Sequence, residues 1–86
     1  MESNTITMRE LKTRLSAALN MIKGFCFNGR LCNGWREINE NVIEFRYSDD
    51  GRSARIRIDE IDSIGTAKIF DNRNGFCKPY PNVITK

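Results

Sequence analysis

The chain has 86 residues, of which 40% are hydrophobic and 29% charged, with a formal net charge of +3. That length makes one domain, residues 1 to 86, with a thin core. There is no histidine, which removes the commonest general base, the Ser-His and Cys-His pairs and the most frequent metal ligand.

No catalytic residue, metal site or cofactor is therefore expected, and the chain reads as a non-enzyme. No apolar run approaches the roughly 18 residues of a membrane span. Residues 1 to 5, Met-Glu-Ser-Asn-Thr, lack the charged and apolar regions of a secretory signal. Cys26, Cys32 and Cys77 are an odd set, which fits a reducing compartment. The expected location is the cytoplasm, with no membrane partner.

In chain order, the first signal is Thr7-Met8-Arg9-Glu10, a capping box in which a hydroxyl and a carboxylate each satisfy a free backbone N–H. Leu11, Leu15, Ala18, Leu19 and Ile22 recur at helical spacing. They predict a helix over 8–23, ended by Gly24. From residue 25 the period changes. Asn28-Gly29, Asn33-Gly34, Asp50-Gly51 and Asn74-Gly75 are turn signals that favour a meander of short antiparallel strands. The expected strands are 25–32 (itself a small hairpin about Asn28-Gly29), 35–38, 42–48, 53–59 and 66–70. Asn39-Glu40-Asn41 is expected to turn, and Ile58, Ile61 and Ile64 predict a helical or 3₁₀ turn after the hairpin. Pro79 and Pro81 restrict the tail, 77–86, to an extended or edge conformation. Phe25, Phe27, Phe45, Phe70 and Phe76 are assigned to the core, and Cys26 to a buried thiol.

Residues 42 to 59 can be written out as a hairpin. A two-residue Asp50-Gly51 turn of type I′ pairs Tyr47 with Ala54, Phe45 with Ile56 and Ile43 with Ile58 on an apolar face. The other face then pairs Ser48 with Ser53, Arg46 with Arg55, Glu44 with Arg57 and Val42 with Asp59. Like charges directly opposite are destabilising. Arg46 facing Arg55, with Arg57 beside them, therefore points to an anion-binding surface.

The run from Val42 to Ile64, with its apolar alternation and its Ile61-Asp-Ser-Ile64 end, resembles the closing segment of small β-barrels of the Sm-like and WYL types. The helix-first order is similar to Sm-like folds, including the bacterial Rho-inhibitor type. The tryptophan-tyrosine-leucine signature of WYL domains and an Sm RNA-pocket signature are absent, so the resemblance implies a barrel-like shape and no binding residue. The expected fold is α+β: an N-terminal helix packed on a small, strongly bent antiparallel sheet, either a meander or an SH3- or Sm-like partial barrel.

Two functional readings follow. Arginine's planar fork suits phosphate, and aromatic rings stack on bases. Arg46, Arg55 and Arg57, joined by Arg30, Arg36 and Trp35, are therefore candidates for a nucleic-acid surface on a small regulatory protein. The alternative is a protein-interaction module or inhibitor of the kind small phage or accessory genes encode. It rests on a basic stretch (Arg9, Lys12, Arg14, Lys23, Arg30 and Arg36) followed by an acidic one (Glu37, Glu40, Glu44, Asp49 and Asp50), which together suit a charged protein partner if the fold keeps them apart. The strand edge at 66–70 is the expected surface for a homodimer.

Overall fold

The computed structural model describes residues 6 to 86; the expectation about a leader at residues 1 to 5 lies outside them. Among the described residues there is one helix, α1 (Met8–Met21), followed by β1 (Phe25–Phe27), β2 (Arg30–Asn39), β3 (Val42–Tyr47) and β4 (Ser53–Arg57). A 3₁₀ turn (Ile58–Glu60) leads to β5 (Ile61–Asp71) and β6 (Phe76–Thr85). The strands form one sheet in the order β4-β3-β2-β1-β6-β5. It is strongly curled into a half-barrel, with α1 packed on it, which makes the fold α+β. No helix of the described residues is long and apolar enough to cross a membrane.

The capping box at the start of α1 is complete. The Glu10 N–H donates to Thr7 Oγ1 at 3.1 Å, and the Thr7 N–H donates to Glu10 Oε1 at 3.0 Å. Leu11, Leu15 and Ala18 are buried against Phe25, Phe27, Ile43, Phe45, Ile56, Ile61 and Val83. The helix stops two residues short of the predicted end. Lys23, not Gly24, takes the left-handed conformation, at φ 65°. Gly24 is closely surrounded instead: a Cβ there would lie 3.3 Å from the Cys32 carbonyl and from Leu31 Cδ1.

Asn28 and Gly29 both have positive φ, at 51° and 83°, and close a two-residue turn in which Phe27 pairs with Arg30. Asn33-Gly34 does not turn. β2 runs through it, and the register against β3 shifts between Cys32 and Gly34. One extra residue is thus taken up as a bulge, which bends the strand.

The tail forms a strand, β6. β6 pairs antiparallel with β5 along its whole length and parallel with β1 at Asn82 and Val83, so the sheet is mixed where a purely antiparallel one was expected. The parallel contact is secured by side chains. Asn28 Nδ2 donates to Thr85 Oγ1 at 3.0 Å, the Thr85 N–H donates to Asn28 Oδ1 at 3.1 Å, and the Gly29 N–H donates to Asn82 Oδ1 at 2.8 Å. Pro79 and Pro81 face Lys68 and Thr66 of β5. Pairing with β1 begins only beyond them, so their missing N–H groups interrupt no second ladder.

β5 also begins earlier than predicted. With β6 it forms a long hairpin whose outer half projects beyond the core. Phe70 and Phe76 sit on this arm, 57% and 71% exposed, so these two rings are not core. Phe25, Phe27 and Phe45 are, with the Phe45 ring centroid 5.2 Å from that of Phe25 and 5.1 Å from that of Phe27.

Candidate anion-binding face

The β3–β4 hairpin keeps its predicted faces and changes its partners. Val42 pairs with Arg57, Ile43 with Ile56, Glu44 with Arg55, Phe45 with Ala54, and Arg46 with Ser53. Every pair is displaced by two residues from the two-residue-turn register. The loop is longer: the Tyr47 N–H donates to the Arg52 carbonyl at 2.8 Å, and the Gly51 N–H donates to the Tyr47 carbonyl at 3.1 Å. Only Gly51 of the Asp50-Gly51 pair has positive φ, at 73°, so a type I′ turn is not formed.

The loop is also contacted from outside the hairpin. Arg30, on β2, reaches Asp49 at 3.1 Å and Asp50 at 3.0 Å, with its guanidinium 3.8 Å above the Tyr47 ring. Both aspartates are thereby anchored to the neighbouring strand, and the Arg30 hydrogen bond holds the Asp49 carboxyl below its ordinary range.

Arg46 therefore does not face Arg55, and the expected like-charge pair is absent. Arg55 faces Glu44, with Arg55 Nε donating to Glu44 Oε1 at 2.9 Å. From the other side Arg36, opposite Glu44 in β2, approaches Glu44 Oε2 at 3.3 Å. Glu44 is thus the centre of a row across three strands. Its carboxyl is held below the ordinary range, first by the Arg55 hydrogen bond and then by the charge of Arg36. The period-two pattern places Glu44 on this face, but its two partners depend on register alone.

The adjacent row is Gly34, Arg46 and Ser53. Among the described residues no carboxylate comes within 4.0 Å of Arg46, whereas Arg30, Arg36, Arg52, Arg55 and Arg57 each have one. Its two cross-strand neighbours are small, and a Cβ on Gly34 would meet only the Arg46 Cβ, at 4.0 Å. The result is a shallow depression of about 380 Å³ lined by Gly34, Trp35, Arg36, Glu44, Arg46 and Ser53. Three arginines against one carboxylate leave two net positive charges on this face.

The remaining candidates are dispersed. Arg57 is paired with Asp59 at 2.9 Å, at the far end of β4. Arg30 is occupied by the loop. Trp35 borders the depression, but it pairs with Phe45 and packs against the core. Cys26 and Cys32 are buried and Cys77 is exposed on the arm. Cys26 pairs with Leu31, and Phe25 with Cys32, so the two buried thiols point to opposite faces of the sheet. Burial pushes the Cys32 thiol up to about 12.

The basic and acidic stretches of the sequence are not kept apart. Lys12 pairs with Glu37 at 2.7 Å, Arg30 with Asp49 and Asp50, and Arg36 with Glu44. Comparison with known proteins gives no match: no family model, no curated protein and no solved structure is similar to this chain.

Proposed function

We propose that the protein is a small, non-enzymatic regulatory protein that binds nucleic acid on the outer face of β2, β3 and β4. The observation that carries this reading is Arg46, an arginine without a carboxylate partner, seated between Gly34 and Ser53 in an open depression. Arg36 and Arg55 flank it, each paired with Glu44. A phosphate in the depression would meet the fork of Arg46 directly and the outer guanidinium edges of the other two. Trp35 and Arg57 are peripheral to this surface, and Arg30 serves the loop.

The alternative, a module docking a charged protein partner, needs a basic side and an acidic side. The interleaved ion pairs remove that support, and the nucleic-acid reading is preferred.

The test is titration of fluorescent single- and double-stranded DNA and RNA over a range of salt. Binding should weaken as salt rises, and Arg46→Ala should lower the slope of log K against log salt by about 1. Absence of binding at low salt, or binding by a folded Arg46→Ala protein that matches the parent, would refute the proposal. Capture of a protein partner that survives nuclease treatment would return the argument to the alternative.

A further inference from the structure

We infer that the outer half of the β5–β6 hairpin is a second nucleic-acid contact, a two-stranded arm that enters the major groove of duplex DNA. The inference rests on the reading of the protein as a nucleic-acid binder and names the class of nucleic acid. From Ile64 opposite Val83 to Asp71 opposite Phe76 the ladder is continuous, so alternate residues share a face. Lys68 and Phe70 lie on one face of the arm, and Phe76 and Lys78 lie on the other. Each face thus carries a ring toward the tip and a lysine behind it, with Arg73 in the loop between. All five residues are exposed. Among the described residues none of the three cations has a carboxylate within 4.0 Å. Asp71 is the only acidic residue from Ile64 to the end of the chain, and its carboxylate accepts the Arg73 N–H at 2.9 Å.

This arrangement fits a groove with negative charge on both walls. A flat apolar patch on a protein would cover one ring and leave the other in water. Stacking on a single strand calls for rings along one common track, and these two rings lie on opposite faces. A lipid surface would be entered tip first, and the tip is the polar run Asn72-Arg73-Asn74-Gly75. That run is closed on itself: the Gly75 N–H donates to the Asp71 carbonyl at 2.9 Å, and the Phe76 N–H donates to Asn74 Oδ1 at 3.1 Å. The major groove of B-form DNA, about 12 Å wide, admits a two-stranded ribbon with its strands about 4.8 Å apart. Lys68 and Lys78 then reach phosphates on opposite walls. Arg73 meets base edges, where its fork suits guanine, and the rings meet thymine methyl groups. The deep, narrow major groove of an RNA duplex does not admit such an arm.

Anisotropy titrations of a mixed-sequence DNA duplex, and of the RNA duplex of the same sequence, across a salt series test this. The DNA duplex should bind about tenfold more tightly than the RNA duplex. The major-groove dye methyl green should be displaced from the DNA, and the minor-groove ligand netropsin should not. Lys68→Ala with Lys78→Ala should lower the salt slope on DNA by about 2 and leave the slope on RNA unchanged. Phe70→Ala with Phe76→Ala should weaken DNA binding about tenfold at an unchanged slope. All four positions are exposed, and unchanged circular dichroism confirms that each variant folds. Equal affinity for the two duplexes, undisplaced methyl green, or folded double variants that bind DNA like the parent overturn the inference. So does co-sedimentation with mixed phosphatidylserine–phosphatidylcholine vesicles in place of duplex binding. Arg46→Ala separates the two sites. If it weakens binding and the arm variants do not, the arm is refuted and the β2–β4 face stands. If the arm variants weaken binding and Arg46→Ala does not, the face is refuted and the arm stands.

Discussion

At the scale of single residues, Glu44 sets the character of the charged face. It engages Arg55 at 2.9 Å and Arg36 at 3.3 Å, so it both orients and neutralises. Replacing it with Gln keeps the shape and removes the negative charge. Glu44→Gln should therefore strengthen nucleic-acid binding and raise the salt slope by up to about 1, the opposite of Arg46→Ala. The same titration checks both variants, and their opposite signs separate an electrostatic surface from a general loss of fold. Cysteine chemistry gives a second residue-scale expectation. Burial raises the pKa of both Cys26 and Cys32, and the thiolate is the reactive form. A thiol reagent at neutral pH should label Cys77 alone in the native protein and all three cysteines after denaturation, as read by mass spectrometry.

At the scale of elements, side chains decide how the local pieces join. The β1–β2 turn joins β6 through Asn28, whose amide makes bonds of 3.0 and 3.1 Å with Thr85. Asn28 also sits at φ 51°, which asparagine tolerates better than most residues. Asn28→Ala should cost about 2 kcal/mol, from lost hydrogen bonds and an unfavourable backbone, measured by urea unfolding. Thr7→Ala, which breaks the capping box, should cost about 1 kcal/mol in the same assay. The capping box was legible because both halves lie within four residues. The role of Asn28 at the β6 contact was not, because Thr85 is 57 residues away. Gly24 shows the same division. Its position after the helix was visible, but the close approach of the Cys32 carbonyl, 3.3 Å from where a Cβ would lie, belongs to another strand.

At the scale of the whole molecule, acid should weaken the fold through identifiable carboxylates. Glu10, Glu44 and Asp49 all have folded-state pKa values below their ordinary ones, 4.5 for the glutamates and 3.8 for the aspartate. Hydrogen bonds cause the shift in each case: from Thr7 for Glu10, from Arg55 for Glu44 and from Arg30 for Asp49. A lowered folded value means that the unfolded chain binds protons first as pH falls. The stabilisation is complete above the ordinary values and is lost as pH drops through them toward the lower folded ones. Thermal melts from neutral pH down to about 2 should show a falling midpoint in that window. In Glu44→Gln the fall should be shallower, because one of the three groups no longer titrates.

The sequence by itself determined the capped helix, the Asn28-Gly29 turn, the 3₁₀ turn after the central hairpin and which side of β3 and β4 faces the core. Each of these rests on residues near one another in the chain or on a period-two alternation. Tertiary structure alone decided the register of that hairpin, the exposure of Phe70 and Phe76, and the docking of β6 beside β1. Alternation repeats every two residues, so a slip of two leaves Ile43, Phe45 and Ile56 buried and the arginines outside. What separates the two registers is the loop, which holds four residues with Gly51 at positive φ and is also contacted by Arg30 from a different strand. The observed register replaces an arginine facing an arginine with Arg55 on Glu44, and it leaves Arg46 on that face without a carboxylate partner among the described residues.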